Sequence, residues 1–435
     1  MPRSYSLARS SLTLALLTRE ARRRFHPPLA LVSLPPQGTA AATLGVSAVG
    51  LPALKALAET GEPSVKRYVT LGKTGLRIPD ISFGTGATDN VDLIRHAYDR
   101  GITYFDTAGG YPMGKPGLAE KSLGEALAGK RDKVVLTSKT LIKSDTNRRQ
   151  LMNRLHSSLK RLRTDYIDIF LNHGVNDLDV LRNPEWFEFV EVAKKQGKIR
   201  FAGMSGHGGH LISCLDVALD ENLVDVILCA HNYGQDPAFY ERFTRDFDIV
   251  ANQVGLPRIL EKAHAKGVGV LVMKTLMGSR LNDMAPYERP GSTYPQAAFR
   301  WVLSNPNIDG LVVSMRSREQ IDEYLGASGQ GVVRQSDLRL LRTYTEMNSK
   351  TYCRPGCNAC ASACPDAVAI PEVLRARMYS TDYGDELAAR STYAELESDA
   401  TACLTCSHES CTSACPYGLE VSSLTKQTAG ALGSV

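Results

Sequence analysis

The longest uncharged stretch of this 435-residue chain, Phe25 to Leu54, is broken by Pro27, Pro28, Pro35, Pro36 and Pro52. Prolines so placed interrupt the continuous apolar helix that a bilayer crossing needs, so a permanent membrane span is not expected. The chain also lacks a charge excess beyond its first 58 residues. That segment holds seven Lys/Arg against the single acid Glu20, a balance of +6 within a formal total of +5, which leaves the rest at −1. A near-neutral body offers no footprint for nucleic acid. Residues 59 to 435 contain no low-complexity tract, and 43% hydrophobic with 22% charged residues is the composition of a globular protein, not a disordered one. The glycine-rich Gly206-His-Gly-Gly-His210 is not the G-x-G-x-x-G of a dinucleotide fold.

What is present divides the chain. At this length two domains are expected, a barrel-sized core and an accessory module. Residues 1–58 read as an address: Arg22-Arg23-Arg24-Phe25 precedes the uncharged stretch, and Ala56-Leu57-Ala58 is a candidate small-residue cleavage site. This resembles a twin-arginine signal and would send the protein to the periplasm. A disordered basic tail or an organellar transit peptide are the other readings, the first of which would leave it cytoplasmic.

Between residues 66 and 330, β-branched or apolar runs alternate with helical patterns eight times. The expected strands are Ile81 to Thr85, Thr103 to Ala108, Val134 to Lys139, Ile167 to His173, Ile199 to Gly206, Asp225 to Asn232, Val268 to Thr275 and Gly310 to Met315. Eight such units over about 250 residues predict an α/β chain built on a (β/α)8 TIM barrel. Leu151, Leu155, Leu159 and Leu162 recur at helical spacing. Two runs before the first barrel strand, Arg67 to Leu71 and Leu76 to Ile78, flank Gly72 and Gly75 and predict a hairpin plugging the barrel's N-terminal end. Helices are expected over 333–352 and 366–402, and a long loop over 276–293, on the face where barrel loops are usually functional.

Eight of the ten cysteines form two runs, each closed by Cys-Pro: Cys353, Cys357, Cys360 and Cys364, then Cys403, Cys406, Cys411 and Cys415. The grouping resembles that of bacterial ferredoxins, whose closely spaced thiolates hold [4Fe–4S] clusters. Structural zinc and, in an exported chain, disulfides are the competing readings. The resemblance implies a mainly helical ferredoxin-like domain over 345–425 with two [4Fe–4S] clusters. It further implies that Cys415 joins Cys353, Cys357 and Cys360 while Cys364 joins Cys403, Cys406 and Cys411. His207 and His210 have no further ligand beside them, and Cys214 and Cys229 read as buried apolar residues.

Asp106, Tyr111, Lys139 and His173 fall at or just beyond the C-terminal ends of the second, third and fourth barrel strands, where barrel enzymes carry their chemistry. Here the chain resembles the aldo-keto reductases, through Tyr68-Val-Thr-Leu-Gly-Lys-Thr-Gly75, Phe105-Asp-Thr-Ala-Gly-Gly-Tyr111, Leu123-Gly-Glu-Ala-Leu127, Thr137-Ser-Lys139 and Leu171-Asn-His173. The resemblance implies hydride transfer between NADP(H) or NAD(H) and a small carbonyl or alcohol. Tyr111 would donate its proton, Lys139 would favour the phenolate, Asp106 would pair with Lys139, and His173 would orient the carbonyl.

For the cofactor the resemblance implies contacts from Ser205, Asn232, Thr275, Leu276, Gly278, Ser314, Arg316, Arg318 and Gln320. It places Leu228 where a glutamine is usual and His231 where an aromatic ring stacks on the nicotinamide. The two halves together resemble bacterial aldo-keto reductases with a C-terminal ferredoxin-like domain behind a twin-arginine signal. The expected function is therefore carbonyl reduction in the barrel with electron transfer through the clusters to a redox-partner protein. The alternatives are a ferredoxin-like carrier whose barrel only binds, or an ordinary reductase with structural clusters.

Overall fold

The computed structural model describes residues 61–235 and 255–433. The expected signal, residues 1–58, lies outside the described residues.

A short antiparallel pair, β1 (Tyr68–Thr70) and β2 (Arg77–Pro79), precedes eight parallel strands. These are β3 (Ile81–Gly84), β4 (Tyr104–Asp106), β5 (Val135–Thr140), β6 (Ile167–Asn172), β7 (Ile199–Gly206), β8 (Val226–Ala230), β9 (Gly269–Met273) and β10 (Gly310–Ser314). Each pairs with its sequence neighbour, and β10 closes onto β3 with Leu311 beside Ile81. All eight expected strands are present, with β7 at its expected bounds, β5 shifted by one residue at the same length, and the others shorter by one to three residues.

The strand period of two sorts the side chains. Tyr104, Val135, Ile169, Leu171, Val226, Leu228, Leu271 and Val312 fill the inside of the barrel, and Leu71, Leu76 and Ile78 from the hairpin pack among them at one end. The intervening residues, such as Phe105, Leu136 and Phe170, face the helices in the main core. Leu151, Leu155, Leu159 and Leu162 are all buried on the helix Arg148–Leu162, which a reciprocal Asn147–Gln150 capping box starts. Closure leaves no room at Gly203. A Cβ there would lie 1.8 Å from the Val226 carbonyl oxygen, so no other residue fits.

The C-terminal segment is helical and packs on the barrel. The helix Gln335–Asn348 is anchored by Arg300, which donates to Asp337 at 2.5 and 2.9 Å with both side chains 0% exposed. Helices Ile370–Thr381 and Glu386–Ala394 follow, then Ser410–Ser413 and Val421–Leu432. The expected helical character is present. The ferredoxin-like iron–sulfur domain over 345–425 is corrected: among the described residues no group of three or more His, Cys, Asp or Glu side chains is arranged to hold a metal ion. The cysteine runs fold instead as turns and short helices around Ala361–Ala363, Thr401–Leu404 and Ser410–Ser413, with Cys360 buried in the core and six of the others packed against it.

Removing one member of a fully buried ion pair leaves the other charge uncompensated, at about 3–5 kcal/mol. Asp337→Ala is therefore expected to destabilise the protein by about that amount in denaturant unfolding. The double change Arg300→Met with Asp337→Leu should recover much of the loss, and a single variant as stable as the parent would show that the pair does not anchor this helix.

Candidate functional site

Parity brings the four tetrad candidates together. Asp106 ends β4 on the inward register of Tyr104, Lys139 lies two residues beyond Thr137 on β5, and His173 follows β6 on the inward register of Leu171. Tyr111 sits in the loop after β4, where its N–H donates to the Ala108 carbonyl and its own carbonyl accepts from Ala119. All four line a single cavity of about 1100 Å³ at the C-terminal mouth of the barrel.

Lys139 Nζ donates to Asp106 Oδ1 at 2.5 Å and to the Thr107 carbonyl at 2.7 Å, and both charged side chains are at most 5% exposed. The same Nζ lies 5.1 Å from the centre of the Tyr111 ring. The Tyr111 hydroxyl and His173 Nε2 are 3.3 Å apart, with the rings edge to face. A carbonyl oxygen placed between them would meet a phenol proton and an imidazole nitrogen.

The electrostatics differ from the expectation in one respect. Burial, and then the Asp106 charge and Tyr379, push the Tyr111 hydroxyl well above its ordinary value, and Lys139 does not offset this. Tyr111 is thus held as the protonated phenol. His173 is held down to about 3 by burial, with the Lys139 and Lys274 cations acting in the same direction, and is the neutral imidazole.

The cavity runs from this group to the ends of β9 and β10. Of the residues expected at the cofactor, Thr275, Leu276, Ser314, Arg316 and Gln320 line it. Four are placed elsewhere. Ser205 is buried with its hydroxyl accepting from the Gly174 N–H at 3.2 Å, and Asn232 donates to the Lys274 carbonyl and to the Tyr352 hydroxyl at 3.0 and 2.9 Å. Gly278 packs under the C-terminal segment, where a Cβ would come within 2.8 Å of Asp382. Arg318 opens an exposed helical turn.

His231 faces outward and packs on Trp301 at 5.3 Å, so it cannot stack on anything in the cavity. The alternation of β8 requires this, since Leu228 points in and His231 is three residues on. Met273 and Leu228 line the cavity instead.

The C-terminal segment contributes part of the mouth, which the sequence reading did not anticipate. Glu372, Arg375, Tyr379, Asp382 and Asp385 line the cavity from helices outside the barrel. Glu372 Oε1 accepts from Asn176 Nδ2 and the Gly209 N–H at 3.1 and 2.9 Å, while Arg280 from the loop after β9 donates twice to Asp382 Oδ1 at 3.0 and 2.8 Å. Lys274 Nζ meets the Tyr379 hydroxyl at 3.0 Å. A mixed polar and apolar helix after a barrel was the available signal.

The eight cysteines expected as ligands to two [4Fe–4S] clusters, Cys353, Cys357, Cys360, Cys364, Cys403, Cys406, Cys411 and Cys415, are all free. Neighbouring thiols raise one another, Cys415 acting on Cys353, Cys357 and Cys360, and Cys364 on Cys403 and Cys411, so the two runs interleave in space. Burial is the larger effect and pushes Cys353 up to about 12. The cluster assignment is corrected on the metal-site grouping already described. The basis for a cluster-dependent redox-partner protein goes with it.

Comparison with known proteins bears on the barrel. The model of the aldo/keto reductase family matches residues 80–289. The oxidoreductase YrpG of Bacillus subtilis is 29% identical over 304 residues, which are 60% of this chain and 90% of that one. L-galactose dehydrogenase of Arabidopsis thaliana is 26% identical, over 59% of this chain and 86% of its own. L-glyceraldehyde 3-phosphate reductase of Escherichia coli O157:H7 is 25% identical, over 60% and 87%. The chain is an NAD(P)-dependent oxidoreductase.

A solved aldo-keto reductase from Bacillus halodurans in its holo form aligns over 64% of this chain and 95% of its own at 20% identity, with a TM-score of 0.49. The matches of the curated relatives account for about 60% of the chain. The narrower resemblance, to reductases with a ferredoxin-like domain behind a twin-arginine signal, is corrected to one with the reductase barrel alone. No helix among the described residues is long and apolar enough to cross a membrane.

His173 should not titrate between pH 5 and 8. Its folded value is about 3, below the ordinary 6.5, so the neutral ring persists as pH falls until well below that window. A histidine ¹H–¹⁵N signal absent from the His173→Gln variant and titrating near 6.5 would show that water reaches the ring and that the site is not closed as described.

Proposed function

We propose that the barrel interconverts a small carbonyl compound and the corresponding alcohol, with Tyr111 as the proton donor to the carbonyl oxygen. The observation that carries this reading is the Tyr111–His173–Lys139–Asp106 group, assembled from three strand ends at the mouth of one cavity. The relatives named L-galactose dehydrogenase and L-glyceraldehyde 3-phosphate reductase, acting on an aldose and an aldehyde phosphate as their names say, support the same substrate class.

A nicotinamide fits the site by volume and lining. The cavity exceeds the size usual for a drug-like ligand and continues from the tetrad past Thr275 and Leu276 to Ser314, Arg316 and Gln320. Those residues would hold the cofactor, which supplies a hydride to the carbonyl carbon when bound. Arg316 and Arg318 are the cations within reach of a 2′-phosphate, which keeps both NADP(H) and NAD(H) in play.

The protein's own part is proton handling and orientation. Tyr111, kept as a phenol by burial, carries the proton that the carbonyl oxygen takes as negative charge develops on it. The Lys139–Asp106 pair sets the ammonium beside the ring, where it stabilises the phenolate left behind. Neutral His173, 3.3 Å from the hydroxyl, fixes the direction of the O–H. In the alcohol-oxidising direction Tyr111 must first be phenolate, so the rate should rise with pH through 7 to 10 without levelling.

Tyr111→Phe is expected to lower carbonyl reduction by about 10²–10⁴-fold, the usual worth of a positioned acid, with little change in NADPH or NADH affinity. That pH-dependent rise should vanish with it. Turnover unchanged in the Phe variant, or no saturable binding of either nucleotide followed by fluorescence, would sink the reading.

A further inference from the structure

The helix Ile370–Thr381 places a cation at the cavity that the proton-transfer group does not use. Arg375 is 2% exposed and lines the cavity, yet its Nε and Nη2 are buried with no hydrogen-bond partner among the described residues. A guanidinium is never neutral and has five donors to satisfy, so two left unpaired in a dry wall are costly unless something arrives to meet them.

The acids nearby are engaged. Glu372, one turn earlier on the same helix, directs Oε1 to Asn176 and Gly209, and Asp382 Oδ1 accepts twice from Arg280 and once from the Thr381 hydroxyl. A second cation lies on the same wall. Lys274, at the end of β9, has its ammonium on a neutral partner, the Tyr379 hydroxyl, and over that ring at 4.7 Å.

The two charges converge. Both act on His207, whose imidazole burial, then Lys274, then Arg375, hold well below its ordinary value, and Lys274 also reaches His173. His207 Nδ1 is buried without a partner as well. On its other side Arg375 faces Tyr352, Cys353 and Cys357, which feel its charge. Lys139 is matched by Asp106, whereas neither Lys274 nor Arg375 forms an ion pair among the described residues.

We infer that Arg375, with Lys274, is an anion-recognition site, and that the substrate is a small carbonyl compound or alcohol carrying a carboxylate or a phosphate. The inference rests on the proposed reductase reading for the position of the carbonyl. A planar guanidinium with free donors matches either oxyanion in bidentate fashion. The anion would also supply the counter-charge that the wall lacks.

The test compares charged and neutral partners on the intact protein. Glyceraldehyde 3-phosphate and glyoxylate are assayed for reduction against glyceraldehyde and methyl glyoxylate, with inorganic phosphate and acetate as competing anions, separating the phosphate from the carboxylate case. A charged hydrogen bond is worth about 10–100-fold, so at least one anionic substrate should exceed its neutral analogue in kcat/KM by that factor. In Arg375→Gln that ratio should fall about tenfold or more, and Arg375→Lys should recover part of it.

Equal kcat/KM for charged and neutral substrates would overturn the inference while leaving the reductase reading intact, and would assign the guanidinium to its thiol side. No turnover of any substrate would remove the reductase reading. Calorimetry of phosphate and acetate on the unmodified protein then still decides the anion site: saturable binding lost in Arg375→Gln and partly kept in Arg375→Lys supports it, and no binding of either overturns it. The unmodified protein also serves where both Arg375 variants fail to fold.

Discussion

A lysine ammonium buried at the mouth of a barrel cannot stand alone, and the site is organised around that constraint. Transferring an ion out of water is tolerated only with a partner and further hydrogen bonds. Asp106 and the Thr107 carbonyl, at 2.5 and 2.7 Å, meet the requirement for Lys139. Barrel closure makes the pairing possible, because β4 and β5 are adjacent and in register, Asp106 beside Thr137, so the next inward position on β5 reaches the carboxylate. Burial and the Asp106 charge together keep Tyr111 as a phenol. The ammonium still lies close enough to act once a negative charge appears on the ring oxygen.

The barrel alone would leave that mouth open. Glu372 joins the C-terminal helix to Asn176 and Gly209 at the ends of β6 and β7, and Asp382 joins it to Arg280 beyond β9, so the cap is held from two sides. Tyr344 adds a third tie, accepting from the Arg280 N–H and donating to the Met277 carbonyl at 2.9 and 2.8 Å. Tyr111 owes part of its raised pKa to Tyr379 on this cap. The electrostatics of the barrel residues are therefore a property of barrel and cap together.

The barrel was legible in the sequence because its signals are local and repeated. Eight apolar runs between helical patterns have few other solutions, and Asp106, Lys139 and His173 were placed correctly by counting to strand ends. Residues whose role depends on direction were harder. The reading by resemblance turned both Leu228 and His231 toward the cofactor, but parity lets only Leu228 face the cavity, and His231, one residue past β8, faces outward onto Trp301. Asn232 and Gly278 look free for a cofactor until Tyr352 and Asp382 come in from more than a hundred residues away. The cysteine runs failed for a related reason: spacing along the chain suggests a metal site, but a site also needs a grouping of ligands in space that the described residues do not meet.

The same long-range dependence explains why Arg375 was invisible in the sequence. Nothing in Val373-Leu374-Arg375-Ala376 distinguishes it from an arginine on a solvated helix face, and its neighbours on either side are buried apolar residues. Only docking of the helix Ile370–Thr381 turns that face to the cavity, where Arg375 Nε and Nη2 are buried without a hydrogen-bond partner among the described residues. A cap fixed by its own carboxylates, over a barrel whose buried lysine is already paired, leaves the Arg375 guanidinium as the group that the proposed anionic substrate would meet.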